Sequence, residues 1–143
     1  MIGQNKRAMG LVVVVLSGVS GVLDCTNGAQ IEPAAVTLCA VVADPEKYDG
    51  KLIRVTGSVV SDGIEHLGIT DKSCGDKGIS VTSETTPGAL DNLSKMIFTG
   101  TPGTSDKEIT ATFDGTFHWR PGSVPSRLLA PSRVTNVRMT RRP

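Results

Sequence analysis

Aromatic side chains are scarce in this chain, with three Phe, one Trp and one Tyr among 143 residues. A protein that stacks bases along a groove needs exposed rings, and this supply is thin once a core has taken its share. Histidine is scarcer still, limited to His66 and His118. There is no Cys-x-x-Cys pair, and neither His has a partner at ligand spacing, so no metal site and no cofactor are expected. Charge of one sign is missing too: 15 Lys and Arg face 14 Asp and Glu. That balance argues against a generic nucleic-acid or anionic-membrane binder, which carries a basic excess. No apolar run is long. The stretch from Ala8 to Leu23 is broken by Gly and Ser after Leu16, and a spanning helix wants roughly twenty apolar residues.

What that stretch does have is the layout of a secretory signal. Lys6 and Arg7 precede the apolar residues 8–16, and the small residues 17–21 follow. Residues 1–21 are therefore expected to be a removable signal, 22–33 a flexible lead-in and 34–140 one folded domain. Cleavage after Ser20 fits nearly as well as after Gly21, and an uncleaved anchor stays open. Cys25 stands at the distance from the apolar run where lipoproteins are acylated, which makes it a candidate lipidation site. Asp24 before it departs from the small residue such signals take, so simple cleavage is the better reading. Without Lys6 and Arg7 the chain holds 13 basic against 14 acidic residues. The expected compartment is the periplasm or cell envelope, with membrane contact only through an acylated Cys25 or an uncleaved signal.

Export changes how cysteine is read, because those compartments are oxidising. Cys39 and Cys74 fall inside the expected domain and Cys25 before it. A Cys39 to Cys74 disulfide is expected, with two buried free thiols as the alternative.

Along the domain, Gly, Pro, Thr, Ser and Val favour turns and strands. A short helix is expected over 36–43. One further turn follows over 45–49, started by Asp44 and Pro45 and stopped by Gly50. Residues 51–61 alternate, with Ile53, Val55, Gly57 and Val59 on one face and Arg54, Thr56 and Ser58 on the other. Gly57 in mid-strand suggests a bend or bulge. Asp62 and Gly63 signal a hairpin leading into a second strand over 64–71, with Leu67 and Ile69 inward. A polar loop carries Cys74, and a third strand covers 79–82. Thr86 and Pro87 look like a cap and first helical position, giving a helix over 87–96, followed by a flexible loop over 99–106. The clearest strand is 109–119, where Ile109, Ala111, Phe113, Gly115, Phe117 and Trp119 share one parity. A last strand over 127–139 is interrupted near Pro131, and the basic tail 138–142 is expected to fray.

This order resembles an OB-fold: a mainly β, five-stranded Greek-key barrel with a short N-terminal helix and one helix between strands 3 and 4. The residues Leu38-Cys39, Asp44-Pro45-Glu46-Lys47-Tyr48-Asp49-Gly50-Lys51 and Ile53-Arg54-Val55-Thr56-Gly57 resemble a group of small, exported, uncharacterised bacterial proteins. The likeness is best over residues 37–82. It implies a fold and a compartment, and it implies no catalytic residue.

An OB barrel offers the face of its second and third strands to extended ligands. Here that surface would include Glu65, His66, Thr70, Asp71, Lys72, Lys77 and Ser80, a mixed-charge set suited to an envelope protein, peptide or glycan. The expected function is thus a non-catalytic binding module of unknown ligand. Two other readings stay open. Single-stranded nucleic-acid binding would require Phe113, Phe117 and Trp119 to face solvent beside Arg54 or Arg120. A small enzyme could use a His-carboxylate pair from His66 or His118 with Glu65, Asp62 or Asp71. Asp71 and Asp76 lack the alternating oxygens of a dedicated calcium loop.

Overall fold

The computed structural model describes residues 28–143, and residues 31–143 form one compact unit. The expected signal, the first half of the lead-in and Cys25 lie outside the described residues. The unit is mainly β, with one six-stranded mixed sheet and two helices. In chain order, strand β1 (Ala34–Ala35) is followed by helix α1 (Leu38–Ala43) and a 3-10 turn at Glu46–Tyr48. Strands β2 (Leu52–Ser61) and β3 (Leu67–Thr70), a second 3-10 turn at Lys72–Cys74 and strand β4 (Gly78–Val81) come next. Helix α2 (Asp91–Ile97) then leads to the long strands β5 (Lys107–Trp119) and β6 (Arg127–Arg141).

The sheet order is β1-β2-β3-β4-β6-β5, and β2 also pairs with β5, so the pairings of the last five strands return to their start. All neighbours are antiparallel except β1 with β2 and β4 with β6, which run parallel. Six strands replace the expected five. The addition is β1, two residues just before the stretch read as helix, which lie beside Ile53 and Arg54. The helix starts later because Thr37 keeps an extended backbone and its hydroxyl accepts from the Ala40 amide.

Alternation places the core. Ile53, Val55, Val59, Ile69, Ile79, Ile109, Phe113, Phe117 and Leu129 are buried, closed over by Leu38, Val41 and Val42 of α1 and by Leu93 and Ile97 of α2. Gly57 makes no bulge. A Cβ there would stand 2.6 Å from Ile69 Cγ2 and 2.9 Å from the Thr70 carbonyl, so the glycine lets β3 come close. The expected helix over 87–96 begins only at Asp91, because Gly88 has φ +80°, outside helical backbone. Thr86 therefore caps nothing on α2. The second strand begins at Leu67 rather than 64, because Asp62 Oδ1 accepts the amides of Ile64, Glu65 and His66 and holds them in a turn.

The 99–106 stretch is tied down where a flexible loop was expected. Thr104 Oγ1 accepts from the Ser61 amide, and Lys107 reaches the same region from the inward parity of β5. Its side chain is 2% exposed, and its ammonium donates to the carbonyls of Ile97 at 3.1 Å, Thr99 at 2.5 Å and Thr101 at 2.7 Å. A buried ammonium must satisfy its donors; here the end of α2 and the loop beyond it supply the acceptors. The basic tail does not fray either, since Arg138 to Arg141 pair with Thr110 to Lys107. Pro131 sits beside a register shift in the β5–β6 pairing, where a residue without an amide donor is tolerated.

The predicted bridge is present. Cys39 of α1 and Cys74 of the second 3-10 turn form a disulfide with Cα atoms 5.1 Å apart, closing a 35-residue separation. Among the described residues no helix is long and apolar enough to cross a membrane.

Candidate functional site

Because side chains alternate across a strand, the ladder fixes what each face of the sheet carries. One row runs Val60, Gly68, Ser80, Leu128 across β2, β3, β4 and β6, and the next begins Ser58, Thr70, Gly78. These residues have the parity opposite to buried Val59, Ile69, Ile79 and Leu129, so they face outward. The middle of this surface is glycine and hydroxyl, and its two margins are aliphatic. The result is a trough with a low floor and raised walls.

The trough is an open groove of about 640 Å³. Val60, Leu67, Val81, Val124, Pro125 and Leu128 give it an aliphatic lining, and Val60 and Val124 are 51% and 100% exposed. Glu65, His66, Thr70 and Ser80 supply polar groups. No Lys or Arg lines it, and among the lining residues the only aromatic ring is the His66 imidazole.

Of the seven residues expected on this face, Glu65, His66, Thr70 and Ser80 line the groove, and Asp71, Lys72 and Lys77 do not. Asp71 is engaged locally, its carboxylate accepting from the amide and hydroxyl of Ser73 at 2.9 and 2.6 Å. Those bonds hold its carboxyl below the usual value and shape the turn that presents Cys74. Lys72 lies in that turn and Lys77 in the loop before β4, both exposed. Asp71 also lies near Cys39 and Cys74, but both sulfurs are spent in the disulfide.

The groove residues missed in the sequence were its walls. Val60 and Leu128 each stand next to another aliphatic residue, Val59 and Leu129. In a strand one of two such neighbours must face away from the core, and that was the available signal. Val124 and Pro125 belong to a loop whose position only the fold reveals.

One end of the groove is held by a carboxylate–imidazole pair. Asp62 Oδ2 lies 2.6 Å from His66 Nδ1, while Asp62 Oδ1 holds the loop amides. The hydrogen bond to Asp62 raises the His66 pKa above its ordinary 6.5, and the same bond lowers that of Asp62. Asp62 already accepts four hydrogen bonds and His66 is exposed. No nucleophile lines the groove beyond the hydroxyls of Thr70 and Ser80, and neither contacts the pair.

The outer face around β5 is different. Arg54, Asp114 and Arg133 form one cross-strand row. Asp114 takes Arg54 Nε at 2.7 Å and Arg133 Nη2 at 2.6 Å, and Arg54 reaches Glu32 at 3.6 Å. Hydrogen bonding to Arg54 lowers the Asp114 pKa, burial opposes this, and Arg133 adds to the lowering. In the adjacent row the Thr56 and Thr112 hydroxyls bond at 2.8 Å. The three rings that a base-stacking reading needs also lie away from solvent, although Phe98, outside that set, is 57% exposed. Phe113 and Phe117 are buried, and half-buried Trp119 stacks under Arg127 at 5.8 Å.

Comparison with known proteins adds no relative: no family model matches the chain, and no curated protein matches it significantly.

Proposed function

We propose that this protein is a non-catalytic binding module of the OB-fold type, exported to the cell envelope, and that its β3–β4 trough takes an extended peptide segment. The single observation that carries the reading is the row Val60, Gly68, Ser80, Leu128, whose low centre and aliphatic margins are left without a partner among the described residues. A circuit of five paired strands with a helix between its third and fourth members supports the barrel. In such barrels extended ligands lie over the second and third strands, which here are β3 and β4. The inference from fold to ligand face is an analogy; the trough itself is particular to this chain.

The chemistry of the lining favours peptide over other chains. An aliphatic wall with a few hydroxyls suits a mixed apolar and polar backbone, and beyond the His66 imidazole it offers bases or sugar faces no ring to stack on. No Lys or Arg runs along the trough, and the single Arg127 next to it is too little counter-charge for a phosphate backbone. Export is supported by the Lys6-Arg7 and apolar N-terminal pattern together with the disulfide, which persists in oxidising compartments.

The test is a titration of the full chain, isotope-labelled for amide spectra, with acetyl-Ala-Val-Ala-Val-amide and separately with a ten-residue oligothymidine. The peptide is expected to shift the amides of Gly68, Ser80 and Leu128, with no shift from the oligonucleotide. Shifts produced only by the oligonucleotide, or none with the peptide, would overturn the reading.

A further inference from the structure

We infer that the trough ends in a carboxylate pocket built on Arg127, so that the segment it takes is the C-terminal end of a peptide; this rests on the trough being a peptide site. The pocket is a smaller hollow of about 240 Å³ that shares Gly78, Ser80, Val124 and Pro125 with the trough. Its remaining lining is Ser123, Ser126 and Arg127. It therefore offers one guanidinium and three hydroxyls, with no acidic side chain to neutralise them.

Arg127 is held without being paired. Its guanidinium lies over the Trp119 ring at 5.8 Å, which limits the freedom it would lose on binding. It makes no salt bridge among the described residues, unlike Arg54 and Arg133, which share Asp114. Its Nε is buried and has no hydrogen-bond acceptor among the described residues. A buried donor left unmatched is costly, and a guanidinium with free donors is the group best shaped to take a carboxylate in two parallel bonds.

Position favours a terminal carboxylate. The pocket continues the trough at one end, sharing four lining residues with it, so a chain lying in the trough reaches Arg127 with its last residue. Polarity agrees with that direction. The one acidic residue of the trough, Glu65, precedes β3, while the pocket lies by the Thr70–Gly78 pair at the other end of β3. A peptide with its carboxylate on Arg127 would present its upstream residues toward Glu65.

The experiment compares three peptides on the full chain by amide spectra: acetyl-Ala-Val-Ala-Val as the free acid, the same sequence as the amide, and acetyl-Ala-Val-Asp-Val-amide. The free acid is expected to bind about tenfold or more tighter than its amide, a difference typical of a charge-assisted contact. It should add shifts at Ser126 and Arg127. Arg127→Gln should lower the acid to the level of the amide. Because Arg127 also packs on Trp119, the comparison of acid with amide on the unaltered chain decides the matter without relying on the variant. Equal binding of acid and amide would overturn the carboxylate pocket while leaving the trough intact. Tight binding of the Asp peptide alone would overturn the terminal assignment. No binding of any peptide would sink the trough reading as well.

Discussion

Strand β2 carries two unlike surfaces on one side of its own backbone. Its outward residues Arg54 and Thr56 belong to rows that are closed by partners: Asp114 and Arg133 in one, Thr112 in the other. Two residues further on, past Gly57, Ser58 and Val60 begin the rows of the trough, which contain glycine, hydroxyl and aliphatic groups. The same pleat thus spends its side chains on the fold at one end and leaves them available at the other. An ion row satisfied from both sides restricts the strands that carry it. Gly78 lets β3 and β4 approach closely, since a Cβ there would stand 2.6 Å from the Ile69 carbonyl, and the trough it floors carries no cross-strand side-chain bond among the described residues.

The contrast can be pressed by substitution. The largest effect is expected at Lys107, which like the ion row is satisfied entirely from within. Lys107→Met leaves the carbonyls of Thr99 and Thr101 without the ammonium and Ile97 with the Gly103 amide alone, and should cost about 3 kcal/mol in denaturant unfolding. An undiminished midpoint would mean that water replaces the ammonium freely. Next comes Asp114→Ala. It strands Arg54 and Arg133 side by side, but both are partly exposed, so the loss should be about 2 kcal/mol, below the full cost of breaking a buried pair. Val60→Thr in the trough should change stability by no more than about 0.5 kcal/mol while weakening the aliphatic peptide. A large loss of stability there would erase the distinction between the two faces.

Acid sharpens the same comparison. The Asp114 carboxyl titrates below its ordinary 3.8 in the folded chain. Its contribution to stability is therefore complete above that value and disappears as pH falls through the lowered folded value. Unfolding followed from pH 5 downward should show this loss, and Asp114→Asn should flatten that part of the profile. The imidazole at the groove end runs the other way. His66 has a raised pKa, so what its bond to Asp62 contributes to the loop is complete below 6.5 and fades as pH rises through the raised folded value. Peptide contacts near Glu65 should weaken over that interval, measured as amide shifts at Glu65 and Leu67 during a titration to alkaline pH.

Much of the architecture could be read from the chain because alternation is a local signal. The parity of Ile109, Phe113 and Phe117, and of Ile53, Val55 and Val59, marked their strands and their buried sides. The disulfide followed from placing two cysteines within one domain expected to be exported. Other features depended on partners distant in sequence. Nothing near Lys107 announces that the carbonyls of Thr99 and Thr101 will surround its ammonium, and the pairing of the basic tail depends on β5. The helix boundary at Asp91 turned on Gly88, whose backbone outweighed the capping pattern of Thr86 and Pro87. Candidate binding residues were half legible. Polar Glu65, His66, Thr70 and Ser80 could be assigned to the face from strand order, but its walls and Arg127 come from β2, β6 and a loop that only the closed circuit of strands brings together.

The central claim concerns which outward face of the sheet meets a ligand. It is tested most directly by placing a photoreactive p-benzoylphenylalanine at Ser80 in one preparation of the full chain and at Thr135 in another. Thr135 lies on β6 in the row of Thr112 and Thr56. Each preparation is illuminated with a biotin-labelled Ala-Val-Ala-Val free acid. Covalent adduct is expected from position 80 and suppressed by unlabelled peptide, with none from position 135. Equal labelling at both positions, or labelling at 135 alone, would contradict the account.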